Sequence, residues 1–218
     1  MAYAAARKFM VDGQLRPNKV TNVLVLAAMA RLPRESFTPT EARPRAYADD
    51  AVPLSPNRSM MAPMVLARLL QAAAPRLGEQ ALVVGAGTGY AAAILAEIGL
   101  VVTALEEDGA LLASARAAWA QALPGACPLA VQGRLVEGHA AGAPYELILI
   151  DGAVERVPEA LIAQLAAGGR MAMVLSRPAG LPVAMLGQKL GGAFITTPIM
   201  DAVAPTLPGF APAPSFVF

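Results

Sequence analysis

The sequence predicts an α/β fold, a largely parallel sheet covered on both faces by helices, and three observations predict it. From Gly78 onward, short apolar runs alternate with helical patterns, the order of a chain that crosses over between parallel strands. The strand runs are almost continuously apolar, as expected of strands buried on both faces. The first of them, Ala81–Val84, breaks into Gly85-Ala86-Gly87-Thr88-Gly89-Tyr90 and then into an alanine-rich helical run. Strand, glycine turn and helix in that order build a nucleotide cradle in such sheets.

Two helical patterns open the chain. Val20–Leu32 is apolar at Val20, Val23, Leu24, Ala27, Ala28 and Leu32 and stops at Pro33; Met64–Ala74 repeats the spacing after Pro63. The proline-studded segment 39–56 has no clear period and reads as an ordered, irregular surface connection. Then follow strand Ala81–Val84, a helix from Tyr90, strand Val101–Leu105, helix Gly109–Leu123, strands Leu129–Gln132 and Leu147–Ile150, helix Pro158–Ala166 and strand Arg170–Leu175. Cys127 is expected in or near a buried strand. Residues 181–218 hold six of the nineteen prolines, with strand-like pieces at Ala193–Thr197 and Ser215–Phe218, which suggests edge strands and an extended tail.

Composition narrows the function. The chain has 218 residues and a formal net charge of +1, so no global field recruits nucleic acid. One histidine and one cysteine cannot form a common zinc site or a disulfide framework, and no metal is expected. Mean hydropathy is +0.51, yet the most apolar stretch, 81–105, contains four glycines and reads as strand, turn, helix and strand rather than a membrane span. The N-terminus lacks the apolar core of a secretion signal, and a cytoplasmic protein is the economical expectation.

In this fold the ligand sits at the carboxyl ends of the strands, here Gly85–Gly89, Glu106, Gly133 and Asp151. Glycines let the backbone approach a ligand, and Glu106 is placed to grip the two hydroxyls of a ribose. Tyr90, where a dinucleotide fingerprint has its third glycine, argues against NAD and reads either as cofactor packing or as sheet packing. Asp151 reads as a general base or orienting group, or as a cap on the turn that follows its strand. His139 reads as a surface loop residue.

Several segments carry a resemblance. Met10-Val11-Asp12-Gly13-Gln14-Leu15, Leu32-Pro33-Arg34-Glu35-Ser36-Phe37-Thr38-Pro39, Ala46-Tyr47-Ala48-Asp49, Val52-Pro53-Leu54, the glycine turn, Ala143-Pro144-Tyr145-Glu146 and Gln164–Arg170 come in one family's order. Together they resemble the protein-L-isoaspartate O-methyltransferases, which use S-adenosylmethionine to methylate damaged aspartyl carboxylates. The resemblance implies a Rossmann-like methyltransferase fold with a seven-stranded sheet. It also implies one domain over 1–218: an N-terminal helical extension and substrate loop over 1–77, a cofactor core over 78–180, and C-terminal antiparallel strands and tail over 181–218. Gly85, Ala86, Gly87, Thr88, Gly89, Tyr90 and Glu106 would contact the cofactor, with Gly133 and Arg134 beside its adenine. Residues 57–63 and Asp151 would line the acceptor site, and a protein or peptide bearing an isoaspartyl residue would be the partner.

Three positions depart from the family's pattern. Met61 stands at its substrate-loop serine, with Ser59 as a substitute hydroxyl; Arg134 stands where it has an acid; Asp151-Gly152-Ala153 replaces Thr-Ala-Ala. Arg134 reads as a solvated residue or as a cation stacked on adenine. A carboxylate at position 151 would repel a carboxylate substrate, so a methyltransferase with another acceptor, or a silent cofactor- or partner-binding homologue, stays open.

Overall fold

The computed structural model describes residues 2–176 and 180–210. Helix α1 (Ala2–Phe9) runs into a π-helical turn, Met10–Leu15, and α2 (Val23–Arg31) follows. Asn22 starts α2 by accepting from Leu24 N and Val25 N, which satisfies two of the N–H groups that a helix start leaves free. Two 3-10 turns, Arg34–Phe37 and Thr40–Arg45, lead into a hairpin of β1 (Val52–Ser55) and β2 (Arg58–Met60). Segment 39–56 is therefore not wholly irregular. Helix α3 (Pro63–Ala73) begins on a proline, whose missing N–H would have no helical partner there.

The core alternates as the sequence predicts: β3 (Gln80–Val84), α4 (Tyr90–Ile98), β4 (Val101–Glu106), α5 (Gly109–Ala122), β5 (Leu129–Gln132), β6 (Tyr145–Val154), α6 (Glu159–Ala163), β7 (Leu165–Leu175), β8 (Val183–Leu190) and β9 (Ala193–Asp201). The seven strands from β3 onward lie in the order β5-β4-β3-β6-β7-β8-β9, parallel through β7 and antiparallel for the last two. Alternate residues of each strand enter different cores. Ala81, Val83, Leu147, Leu149, Ala172 and Val174 face the N-terminal helices and α4 on one side; Leu82, Val84, Ile148, Ile150, Met171 and Met173 pack with Tyr145, Leu161 and Leu165 on the other. At about 1.5–3 kcal/mol for each fully buried aliphatic side chain, both faces must be apolar, so the strand runs show no polar alternation.

Several expectations are corrected. β6 continues through Asp151, Gly152 and Ala153 to Val154, so Asp151 is a strand residue rather than a turn cap. β8 has no counterpart in the sequence reading, because Val183-Ala-Met-Leu-Gly-Gln-Lys-Leu mixes few strong strand formers with glycine and charge. The helix expected over 158–166 ends at Ala163, because β7 starts at Leu165. Cys127 is exposed, in the loop before β5. β9 is an edge strand that accommodates Pro198, as its proline suggests. The piece Ser215–Phe218 lies outside the described residues. Among the described residues no helix is long and apolar enough to cross a membrane.

Candidate functional site

The site forms where β3, β4 and β6 end side by side. Gly85, Gly87 and Gly89 have φ of 78°, 56° and 88°, so the turn uses a backbone region that other residues enter only with strain. Gly85 N and Ala86 N both donate to Leu105 O at 2.9 and 3.0 Å, which ties the turn to β4 just before Glu106.

Glu106 is fully buried. Its Oε2 accepts from Gly87 N at 2.7 Å; its Oε1 accepts from Glu107 N at 2.9 Å, Asp108 N at 3.1 Å and Arg58 Nη1 at 2.7 Å. Arg58, whose side chain is 5% exposed, donates its Nη2 to Gly85 O at 2.8 Å. The β1–β2 hairpin thus reaches over the glycine turn and plants a guanidinium on the carboxylate expected to hold a ribose. A buried ion pair of this kind is compensated only when its remaining donors and acceptors are also met, and here the backbone meets them.

Among the described residues, two of the clefts that border the hairpin also touch the strand ends or the glycine turn. One, of about 390 Å³, is lined by Ser55, Asn57, Arg58, Glu106, Asp108 and Pro208; the other, of about 180 Å³, by Phe37, Leu54, Thr88, Leu111 and Ser114. A Cβ on Gly85 would meet Leu207 at 2.9 Å and Arg58 Nη2 at 3.4 Å, and one on Gly87 would meet Leu54 at 3.0 Å. Leu207 comes from the segment after β9, which pairs with the end of β6 through Ala153 N to Pro205 O (2.8 Å) and Leu207 N to Ala153 O (2.9 Å). The residue types fit a nucleoside cofactor: a glycine turn and, bonded to it, a buried carboxylate whose oxygens accept N–H donors and could accept from ribose hydroxyls. In this arrangement Arg58, Leu54 and Leu207 hold the space above the glycines.

Asp151 lies beside Gly85, since Val84 pairs with Ile150 across β3 and β6. It is 8% exposed, and its Oδ1 is buried without a hydrogen-bond partner. Burial pushes its carboxyl up to about 7, against the pull of the Arg58 and Arg34 charges, while Glu106 adds to the rise. Arg34 is wholly buried, donates Nε to Ala46 O at 2.7 Å and Nη2 to Met61 O at 2.6 Å, and leaves Nη1 unpartnered. Burial lowers its pKa from the ordinary arginine value, while the neighbouring Tyr90 and Asp151 side chains oppose that change. Its guanidinium lies 4.7 Å from the centre of the Tyr90 ring.

The structure brings Gly85, Gly87, Glu106 and Asp151 together. It assigns other duties to several expected site residues. At Gly89 a Cβ would lie 2.5 Å from the indole of Trp119, whose Nε1 donates to Gly89 O at 2.9 Å, so helix packing accounts for that glycine. Tyr90 is not open to a cofactor: it is buried between Arg34 and Phe37, the Phe37 ring centre lying 5.4 Å away, and burial raises its pKa. Ala86 is buried, and Thr88 Oγ1 donates to Phe37 O at 2.5 Å. Met61 is wholly buried in the core, while Ser59 is half-buried and pairs with Pro53 in the hairpin. Gly133 N donates to Glu106 O at 3.1 Å, but Arg134 is exposed and pairs with Glu137 at 2.7 Å, the solvated alternative. His139 is half-buried in the loop before β6, its N–H on Gln164 Oε1. Arg58 fell inside the segment 57–63 expected to line the acceptor site, but its bond to Glu106 was not foreseen; Arg34 was quoted only as part of a recognised segment, and Trp119 and Leu207 were missed.

The sequence model of the protein-L-isoaspartate(D-aspartate) O-methyltransferase family matches residues 7–203. A protein-L-isoaspartate O-methyltransferase of Methylorubrum populi is 41% identical over 179 residues, 81% of this chain and 82% of its own length. One from Aeropyrum pernix is 38% identical over 179 residues, 81% of this chain and 69% of its own. A solved protein-L-isoaspartate O-methyltransferase superposes with a TM-score of 0.81 at 22% identity over 93% of this chain, which spans 66% of that protein's length. A Plasmodium falciparum protein described as a member of the same family, in complex with S-adenosyl-L-homocysteine, gives a TM-score of 0.77 at 17% identity over 94% of this chain and 98% of its own. At these identities the two structures establish the fold alone. The sequence matches go further, and the chain belongs to the protein-L-isoaspartate(D-aspartate) O-methyltransferase family.

Proposed function

We propose that this protein is an S-adenosylmethionine-dependent carboxyl methyltransferase that acts on isoaspartyl residues of damaged proteins, in the cytoplasm. The observation that carries the reading is Glu106, an acid at the end of β4 bonded to the glycine turn at 2.7 Å in a chain of this family. Gly85, Gly87 and Glu106 are the residues that would hold the cofactor, and β2 with Asp151 would line the acceptor side. When bound, the cofactor supplies a methyl group on a sulfonium: a carboxylate oxygen forms the new bond to carbon while the carbon–sulfur pair returns to sulfur. The acceptor has an ordinary pKa of about 4 and is already ionised, so this chain need not remove a proton. Its work is to position the acceptor and exclude water, a proximity effect of about 7–11 kcal/mol.

A second reading keeps the cofactor and changes the acceptor. It is favoured by Asp151, a buried carboxyl beside Gly85 whose Oδ1 has no hydrogen-bond partner and whose charge would repel a carboxylate acceptor bound next to it. Calorimetric titration of S-adenosylmethionine, paired with radiolabelled methyl transfer to an isoaspartyl peptide and its aspartyl twin, separates the two. Transfer to the isoaspartyl form alone supports repair; binding without transfer to either peptide supports another acceptor.

A further inference from the structure

The buried charges at the strand ends are unequally matched. Arg58 and Glu106 bond directly at 2.7 Å, while Asp151 keeps an oxygen with no partner although it is 8% exposed. Both carboxylates feel the same guanidinium: Glu106 bonds it directly, and its charge also pulls on the Asp151 carboxyl. Arg58 Nη2 rests on Gly85 O at 2.8 Å, and Asp151 follows Ile150, the residue that pairs with Val84 just before Gly85. Leu207 covers both Gly85 and Gly152, so Arg58 and Asp151 share one roof. A cofactor whose ribose engages Glu106 must take the place of Arg58 there. A buried guanidinium deprived of its anion is strongly disfavoured, and another carboxyl with a free oxygen stands on β6, the strand next to the Gly85 end of β3 on which Arg58 rests.

We propose that Arg58 is a positioning residue with two seats: on Glu106 before the cofactor binds, and on Asp151 afterwards, where it holds the acceptor carboxylate. The inference rests on the methyltransferase reading above. A guanidinium has five N–H donors in a fixed fork, so it can pair with Asp151 and still present donors to a second carboxylate. Seated there, it cancels the Asp151 charge that would otherwise repel the substrate. The departure at position 151 then becomes half of an acceptor site whose other half arrives with the cofactor, and acceptor binding follows cofactor binding in order.

The test is a double-mutant cycle on cofactor affinity, read by calorimetry with S-adenosylmethionine alone. Arg58→Met keeps an unbranched side chain out to the position of arginine Nε and removes the competitor for Glu106, and it is expected to tighten cofactor binding by about tenfold or more, a difference of about 1.4 kcal/mol. Asp151→Asn removes the second seat and is expected to weaken cofactor binding in the wild-type background but not in Arg58→Met. With an isoaspartyl peptide, Arg58→Met is expected to raise KM by about tenfold, and Arg58→Lys to recover part of that loss. Unchanged or weaker cofactor binding in Arg58→Met, or an equal effect of Asp151→Asn in both backgrounds, overturns the exchange while leaving the methyltransferase reading intact. Absence of cofactor binding by both wild type and Arg58→Met sinks the functional reading instead.

Discussion

The indole of Trp119 occupies the space that a side chain at Gly89 would need, and its Nε1 donates to the Gly89 carbonyl at 2.9 Å. This contact fixes α5 against the first turn of α4 and so sets the direction of the glycine turn. Gly89→Ala is expected to destabilise the fold by about 2–4 kcal/mol, through strain at φ 88° and displacement of the ring. Urea unfolding followed by the emission of Trp119, the chain's one tryptophan, gives the midpoint, and a native-like midpoint contradicts the packing role.

Met61→Ser restores the family's serine but places a hydroxyl in a wholly buried position. The lost apolar volume is expected to lower stability by about 2–4 kcal/mol. Thermal unfolding checks it, and any gain in methyl transfer must be read against that loss.

Glu106→Gln keeps the shape of the side chain while turning one acceptor into a donor that faces Gly87 N or Arg58. Cofactor affinity is expected to fall by about 1–3 kcal/mol. Calorimetric affinity equal to wild type would remove Glu106 from the ligand contacts.

Asp151 gives the pH dependence. Its folded-state pKa of about 7 lies above the ordinary 3.8, so the folded chain holds that proton more tightly than the unfolded chain. Its contribution is complete below about pH 4 and is lost as pH rises through about 7. Wild type is expected to lose about 1–4 kcal/mol between pH 5 and pH 8 relative to Asp151→Asn, whose amide does not titrate. Urea midpoints at the two pH values measure the difference, and parallel behaviour of the two proteins counts against a buried, raised carboxyl.

The sheet was legible in the sequence because its strands are buried on both faces, and runs such as Ala81–Val84 and Leu147–Ile150 leave no other economical use for so much apolar surface. The turn and Glu106 were legible for the same local reason: their chemistry is contiguous in the chain. Arg58 was not. Nothing in Pro56-Asn-Arg-Ser distinguishes an arginine that reaches a carboxylate 48 residues away from one that faces water. Trp119 and Leu207 were hidden likewise, since each acts on a glycine far off in the chain. Asp151 was placed in the right region and given the wrong local setting, because the strand end cannot be read where Gly152 and Ala153 continue it.

Among the described residues, Leu207 and Pro208 are the last of the site's contributors to leave the ribosome. Until the segment that carries them pairs with Ala153, the glycine turn has a floor and half a roof. In chain order, therefore, the described walls of the cleft are complete only after the two antiparallel strands β8 and β9 have been made.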